Sequence, residues 1–200
     1  MSLYRLKHQF QNLLRPISTQ LVACGATANQ VTLGAIALSA ITAHVIAKHA
    51  KHHRPLWYIL PAAMLVRMAL NAIDGMMAKE HHQASTLGAW LNEAGDILSD
   101  TLLFASLYPH VDKQHHAALS RIIMLSGATE LVAIASTLLT GERANHGPLG
   151  KSDRAFVLGA IGILVGLNAP IHRHQRLFIN AAQLLLILTL INRLRHLRQA

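Results

Sequence analysis

The chain has 200 residues, of which 52% are hydrophobic and 14% are charged, whereas soluble domains carry about 25% charged residues. This balance excludes an ordinary soluble domain and predicts a membrane protein. The formal net charge is +9, but the cations are spread over every connecting segment, so we predict anionic membrane lipids as partners and no nucleic acid. The single cysteine, Cys24, excludes an intrachain disulfide.

The first predicted element is an N-terminal surface helix over residues 1–24. Cations lie among apolar residues there, without the long apolar run or the cleavage site of a signal peptide. The pattern is typical of an amphipathic helix in the membrane surface, and the alternative is a plain solvated basic terminus. The residues are Leu3, Tyr4, Arg5, Leu6, Lys7, Phe10, Leu13, Leu14 and Arg15.

Six membrane-spanning helices are predicted to follow, which gives an all-α polytopic fold. Five windows are apolar enough for a span: residues 31–48, 57–71, 117–139, 155–170 and 178–194. A sixth window, 87–107, is long enough but carries several polar residues that a lipid-facing helix would not tolerate, so other helices must cover it. No polar linker could separate two folding units, and we therefore predict one domain over residues 1–200.

Two of these helices each carry a polar stripe. At about 100° per residue, the polar side chains fall on one face of each helix. They are Arg67, Asn71 and Asp74 on the first helix and Asn92, Glu93, Asp96 and Asp100 on the second. Clustered carboxylates repel in a low-dielectric interior, and oxygen ligands suit Mg²⁺, Mn²⁺ or Ca²⁺ better than zinc. The stripes predict a metal and phosphate site, and the alternative is interhelical hydrogen bonding.

The spacing of these residues resembles a family signature. The chain reads Asn71-x-x-Asp74-Gly75-x-x-Ala78-Lys79, eight residues, then Gly88-x-x-x-Asn92-x-x-x-Asp96. The CDP-alcohol phosphotransferases carry D-x-x-D-G-x-x-A-R, eight residues, then G-x-x-x-D-x-x-x-D. Weaker similarities at residues 27–32 and 150–154 extend the resemblance over nearly the whole chain. It is most similar to an uncharacterised branch in bacterial inner membranes.

The resemblance implies a transferase of phospholipid biosynthesis. Such an enzyme moves a phosphoalcohol group, such as phosphatidyl, from a CDP-linked lipid to an alcohol acceptor and releases CMP. The family also implies a homodimer in the bacterial inner membrane, with a cavity that faces the cytoplasm and holds two divalent ions, Mg²⁺ or Mn²⁺. A modest excess of Lys and Arg on the side of the N-terminus agrees with a cytoplasmic N-terminus.

The family's residue roles carry over position by position. The metal positions would be Asn71, Asp74, Asn92 and Asp96, with Asp96 also the catalytic base. The nucleotide-binding residues would be Asn29, Thr32, Asp74, Gly75, Ala78, Lys79 and Gly88. The acceptor, which can be anionic, would bind Lys151 and Arg154, with Arg121 or Arg143.

The chain departs from the signature at three positions. Asn71 and Asn92 replace aspartates, and Lys79 replaces arginine. An amide oxygen can bind a metal but brings no negative charge, so we predict that Glu93 and Asp100, on the same face, complete the metal site. Lys79 supplies a cation without the bidentate fork of arginine.

Two other functions stay open at this stage. The pattern Asn92-x-x-x-Asp96-x-x-x-Asp100 also resembles the first motif of UbiA-type prenyltransferases, although no second aspartate motif follows. Alternatively, the Asn substitutions mark a catalytically impaired member that binds only metal, lipid or a partner.

Eight histidines and Glu130 are the remaining ionisable residues with a predicted role. Eight histidines on the predicted outer side could bind Zn²⁺ or Cu²⁺, but their spacing matches no defined site, and ordinary loop residues are the preferred interpretation. They are His49, His52, His53, His110, His115, His116, His172 and His174. Glu130 lies within an apolar window, and we predict that it lines a cavity opposite a cation such as Arg67.

Overall fold

The structure is a computed structural model that describes residues 3–199, with side chains from 9 to 198. Over these residues it contains seven α-helices and no strand. The helices are α1 (Leu3–Ala23), α2 (Ala28–His49), α3 (Ile59–Glu80), α4 (Thr86–Ala105), α5 (His116–Thr140), α6 (Lys151–Gly166) and α7 (Gln175–Gln199). The predicted all-α class is confirmed, and each predicted window overlaps one of the helices α2 to α7.

Four segments within the described residues are long and apolar enough to cross a membrane. They are Ala28–His49, Arg54–Glu80, Lys113–Thr140 and Ile171–Arg198. The other two predicted spans, α4 and α6, are not among them: α4 carries three carboxylates, and α6 has only 16 residues. The structure therefore supports a membrane protein, while six spans stay a prediction.

The chain divides into two compact units. The first comprises the residues up to Leu38 together with Leu65–Asp96, and the second comprises Ser39–Met64 and the residues from Ile97 onward. Three helices, α2, α3 and α4, have residues in both units. The single domain over residues 1–200 stays a prediction.

The core of the first unit joins α1, α2 and α3. Leu14, Val31 and Met77 are buried in one apolar cluster, and Arg15 forms an ion pair with Glu80 at 2.9 Å. On α1, the apolar side chain of Leu13 stays 72% exposed. The residues Leu3, Tyr4, Arg5, Leu6 and Lys7 lie outside the described side chains, so the amphipathic surface helix stays a prediction.

The start of α2 is fixed by a turn and a capping box. Gly25 adopts φ +80°, a left-handed conformation that glycine tolerates at a helix end. Thr27 Oγ1 accepts a hydrogen bond from Gln30 N at 3.3 Å, and Gln30 Oε1 accepts one from Thr27 N at 2.9 Å. Gln83 Oε1 accepts a further bond from Ala28 N at 2.7 Å. These bonds position the first turns of α2, which carry the predicted nucleotide-binding residues.

In the second unit, α5 packs along α7, and α6 packs against the 3₁₀ helix Arg54–Tyr58. Close approach at this second contact depends on Gly162. A Cβ atom at Gly162 would lie 2.6 Å from Pro61 Cδ and 2.7 Å from the Trp57 carbonyl oxygen. Because one of these neighbours is backbone, the contact cannot relax by a side-chain rotation.

We expect Gly162→Ala to destabilise the protein. Overpacking costs about 1–3 kcal/mol, which outweighs the gain of up to about 1 kcal/mol from alanine's helix propensity. The melting temperature of the detergent-purified protein measures the change. Gly34→Ala is the matched control, since a Cβ at Gly34 meets nothing within 4 Å, and that variant should melt at or above the wild-type temperature. Equal melting temperatures of Gly162→Ala and the control would show that Gly162 is not needed for close packing.

Candidate active site

The signature residues lie on the C-terminal half of α3 and the N-terminal half of α4, within the first unit. The helix α3 continues to Glu80, nine residues beyond the predicted end of its span at Asn71. The polar stripe is therefore part of a continuous helix. Asn71, Asp74 and Ala78 share one face of it because helical neighbours recur every three or four residues.

Asp74 is buried, and a hydroxyl group from α2 orients its carboxylate. Thr32 Oγ1 donates a hydrogen bond to Asp74 Oδ2 at 2.8 Å and also lies 3.1 Å from the Ala28 carbonyl oxygen. Both side chains are about 5% exposed. The structure thus brings together Thr32 and Asp74, which the sequence assigned to one nucleotide site.

Asp96 is also buried, and two donors from α3 meet one of its oxygens. Arg67 Nη2 lies 3.3 Å from Asp96 Oδ1, and Asn71 Nδ2 donates to the same atom at 3.2 Å. The guanidinium of Arg67 compensates the buried carboxylate, since an unpaired ion at this depth would cost several kcal/mol. Arg67 is therefore a positioning residue for Asp96, a role that the sequence analysis did not assign to it.

The amide of Asn92 suits a metal position. Its Oδ1 atom is buried and accepts no hydrogen bond, and a buried acceptor without a partner is costly unless something else binds it. No group of three His, Cys, Asp or Glu side chains that could hold a metal occurs in the described part of the chain. The signature positions offer the carboxylates of Asp74 and Asp96 and the amides of Asn71 and Asn92, and their assignment as metal ligands stays a prediction. This all-oxygen set fits Mg²⁺ or Mn²⁺.

The glycines of the signature have different roles. A Cβ at Gly88 would lie 2.6 Å from Asn29 Oδ1, so this glycine permits close approach of the starts of α2 and α4. A Cβ at Gly75 would meet nothing within 4 Å, so the missing side chain leaves open space on α3. Of the other predicted nucleotide-binding residues, Ala78 is half-buried and Lys79 is exposed.

A separate ionic network lies in the second unit and is centred on Glu130. Its side chain is 2% exposed and meets three guanidinium groups: Arg154 at 2.7 Å, Arg143 at 2.9 Å and Arg193 at 3.3 Å. Arg154 Nε also donates to Asp100 Oδ2 at 2.8 Å. The sequence predicted a cation such as Arg67 opposite Glu130, whereas in the structure these three arginines pair with it.

The network changes the interpretation of two predicted site residues. Arg154 is fully buried, and its remaining hydrogen bonds go to the Leu149 carbonyl oxygen and to Thr129 Oγ1. All three guanidinium nitrogens therefore donate to groups of the protein itself. In the structure Arg154 bridges Asp100 and Glu130, and its assignment to acceptor binding stays a prediction. Asp100 is buried and ion-paired to Arg154, and its role as a metal ligand stays a prediction, as does that of the half-buried Glu93.

The other predicted acceptor cations do not form one site. Arg121 lies in the second turn of α5, is exposed and donates to Gln183 Oε1 at 2.9 Å. Arg143 follows the other end of α5, and at 1.5 Å per residue the helix between them is about 30 Å long. Arg121 and Arg143 therefore cannot both join one compact acceptor site, and the assignment of either to the acceptor stays a prediction. Lys151, at the start of α6, is half-buried.

Arg193 is a buried residue to which the sequence assigned no role. It lies within α7, is 2% exposed, and also donates to the Thr129 carbonyl oxygen. The available signal was an arginine that interrupts an apolar helical run, which is typical of a residue with a buried partner.

Two of the eight histidines contact backbone carbonyl oxygens, and the interpretation of the group as ordinary loop residues stays a prediction. His110 Nε2 lies 2.8 Å from the Ile46 carbonyl oxygen, and His116 Nε2 lies 3.1 Å from the carbonyl oxygens of Tyr108 and Val111. In the described residues no group of three potential metal ligands includes them.

Comparison with known proteins assigns the family. The family model of CDP-alcohol phosphatidyltransferases matches residues 26–191, and the chain belongs to this family. This match decides against the prenyltransferase alternative. The chain is 37% identical over 195 residues to the inner membrane protein YnbA of Escherichia coli strain K12, covering 98% of this chain and 96% of that protein. The resemblance to an inner-membrane branch is thereby confirmed.

Solved structures show the same fold. The phosphatidylinositol phosphate synthase PgsA1 of Mycobacterium tuberculosis, in complex with manganese and citrate, has a TM-score of 0.76 and 19% identity, covering 92% of this chain and 88% of that one. The same enzyme with CDP-DAG bound has a TM-score of 0.71 and 18% identity, covering 94% and 92%. At these identities the likeness establishes the fold, and the substrates belong to PgsA1.

Proposed function

We propose that this protein is a membrane transferase that moves a phosphoalcohol group, such as phosphatidyl, from a CDP-linked lipid to an alcohol and releases CMP. One observation carries the proposal: at the family's spacing, the two remaining signature aspartates are buried and oriented, Asp74 by Thr32 and Asp96 by Arg67 and Asn71. Family membership and the CDP-DAG complex of PgsA1 support a CDP-linked lipid as donor.

The proposed mechanism assigns each role to a residue of the chain. Asp74, Asp96, Asn71 and Asn92 would hold two divalent ions, Mg²⁺ or Mn²⁺, which when bound neutralise the charge of the donor's pyrophosphate. Asp96 takes the proton from the acceptor hydroxyl as that oxygen attacks the phosphorus on the lipid side, and CMP leaves. Because Arg67 fixes Asp96, the base is positioned before the acceptor binds.

The nucleotide is proposed to lie along the open face of α3. The open space at Gly75 would let a ligand approach the backbone of α3, with Ala78 beside it. Asn29 and Gly88 border the same site, where they approach each other closely. Lys79 is exposed and supplies a positive charge for a phosphate.

On the acceptor side, the proposal relies most on Arg143 and Lys151, because Arg154 is fully buried and Arg121 lies near the other end of α5. Arg143 is 29% exposed beside Glu130, and Lys151 is half-buried, so both retain surface that a polar or anionic acceptor can reach. We further propose six membrane spans, a cytoplasm-facing site, a homodimer, and α1 lying in the membrane surface.

A second candidate is a member of the family that binds metal or lipid without turnover. The hydrogen bond from Asn71 Nδ2 to Asp96 Oδ1 favours it, because an amide nitrogen cannot bind a cation. The deciding experiment incubates the purified protein with CDP-diacylglycerol, Mn²⁺ or Mg²⁺, and a panel of alcohols with and without phosphate groups. Release of CMP that depends on one acceptor supports the transferase, whereas bound metal with no CMP release across the panel supports the second candidate.

Asn92→Asp tests the metal position directly. We expect the variant to bind Mn²⁺ roughly tenfold or more tightly, since the charge of the ligands sets the affinity of such sites. Without metal it should melt at a lower temperature than the wild type, because a further carboxylate is buried. Calorimetric titration with Mn²⁺ measures the first effect. Asn180→Asp, at an exposed position of α7, is the control, and equal Mn²⁺ affinity in both variants would remove Asn92 from the metal site.

A further inference from the structure

The second unit contains an elongated apolar cavity of about 650 Å³ that the proposed reaction does not use. Its walls are side chains of α5, α6 and α7, including Leu119, Ile161, Phe178 and Leu185. None of the signature residues lines it. The volume lies within the range of about 300–1,000 Å³ that is usual for small-molecule sites.

The cavity has a polar mouth of one charge sign. Lys51, Arg54, His110 and His172 contribute to its lining, and no Asp or Glu of the described residues does so. These four come from the segments that join α2 to α3, α4 to α5, and α6 to α7. The mouth therefore gathers cations at one end of the helices, while the body of the cavity is apolar.

The rings of His110 and Trp57 contact each other at the mouth of the cavity. His110 Nε2 is within hydrogen-bond distance of the Ile46 carbonyl oxygen, and its ring meets Trp57 edge to face at a centroid distance of 4.7 Å. Burial lowers the pKa of His110, and the positive charges of Lys51 and His172 lower it further against the opposing effect of the Ile46 carbonyl. Lys51 and His172 thus lie close enough to His110 to lower its pKa, and an anion bound at the mouth would be attracted by the positive charges of Lys51 and Arg54.

We propose that the cavity binds an anionic phospholipid of the surrounding bilayer, with one acyl chain between α5, α6 and α7 and its phosphate at Lys51 and Arg54. Charge and shape argue for this occupant together. A soluble anion would leave the apolar walls unused, and an uncharged lipid would leave the cations without a counterion. The position of cationic side chains and a tryptophan at helix ends also suits the headgroup level of a membrane.

Native mass spectrometry of the full chain in detergent tests the proposal. After delipidation, the protein is offered phosphatidylglycerol and phosphatidylcholine with identical acyl chains. We expect at least tenfold higher retention of phosphatidylglycerol. The double variant Lys51→Gln with Arg54→Gln should lose this preference, and Ala182→Phe, which fills the cavity, should lose retention of both lipids. The control, Arg195→Gln with Arg198→Gln, removes two exposed cations near the end of α7 and should behave as wild type.

Each result supports or overturns the lipid site. Equal retention of the two lipids by the wild type, or an unchanged preference in the Lys51 and Arg54 double variant, would overturn it. A change from dimer to monomer in Ala182→Phe would instead assign the cavity to a second copy of the chain. Because Lys51 and Arg54 are exposed, their variant tests the proposal even if the filled cavity prevents folding. The readout is bound lipid, so it is independent of transferase activity.

Discussion

Replacing Asp96 by asparagine should reduce the rate of CMP release by roughly 10²- to 10⁴-fold, the usual contribution of a general base. The change keeps the shape of the side chain and its ability to accept a bond from Arg67, but it removes the basic oxygen. CMP formed from CDP-diacylglycerol, in the presence of the best acceptor, measures the rate. The loss of the base should appear in kcat, because the proton is transferred only in the transition state, whereas a weaker affinity for Mn²⁺ and the donor would report the second proposed role of Asp96 as a metal ligand.

Two controls separate chemistry from folding in that experiment. Asp112→Asn makes the same substitution at an exposed position outside the site and should release CMP at the wild-type rate. The elution profile and melting temperature of Asp96→Asn show whether Arg67 tolerates a neutral partner. A folded Asp96→Asn protein with normal CMP release would exclude Asp96 as the base.

Replacing Glu130 by alanine should destabilise the protein by about 3–5 kcal/mol, because it leaves buried guanidinium groups without their carboxylate. Three arginines meet Glu130, and two of them, Arg154 and Arg193, are almost completely buried. In a chain of this length the loss corresponds to a fall of roughly 10 °C or more in melting temperature. Heating the detergent-purified protein while its tryptophan fluorescence is recorded measures this fall.

Glu142→Ala is the matched control for Glu130→Ala. Glu142 is exposed, so removing its carboxylate should change the melting temperature little, as for most surface substitutions. If the two alanine variants have the same melting temperature, the network around Glu130 does not stabilise the second unit.

The sequence predicted the helices well because their signals are local. Each apolar window overlaps one helix, and the stripe formed by Asn71 and Asp74 follows from helical periodicity alone. The apolar window that ends at Asn71 stops well before the end of α3 at Glu80, whereas the polar stripe had already extended this helix beyond the window. Polar signature residues end an apolar window without ending the helix, so hydropathy places the boundary too early.

The pairing of charges could not be predicted in the same way. Arg154 and Asp100 are 54 positions apart, and Arg193 and Glu130 are 63 apart, so their contact depends on how helices pack. Spacing identified Asp74 and Asp96 as a pair of site residues, but it could not show that Thr32 and Arg67 orient them. The arginines were interpreted as ligand-binding groups or loop cations because a sequence does not show where their counterions lie.

The bridge between Asp100 and Arg154 bears on how the chain is assembled during synthesis. In the six-span arrangement that we propose, Asp100 enters the bilayer with α4, whereas Arg154 is translated 54 residues later, at the start of α6. A helix with an uncompensated carboxylate is poorly held in hydrocarbon. We therefore expect α4 to be held stably in the bilayer only after α6 has been translated and Arg154 can pair with Asp100.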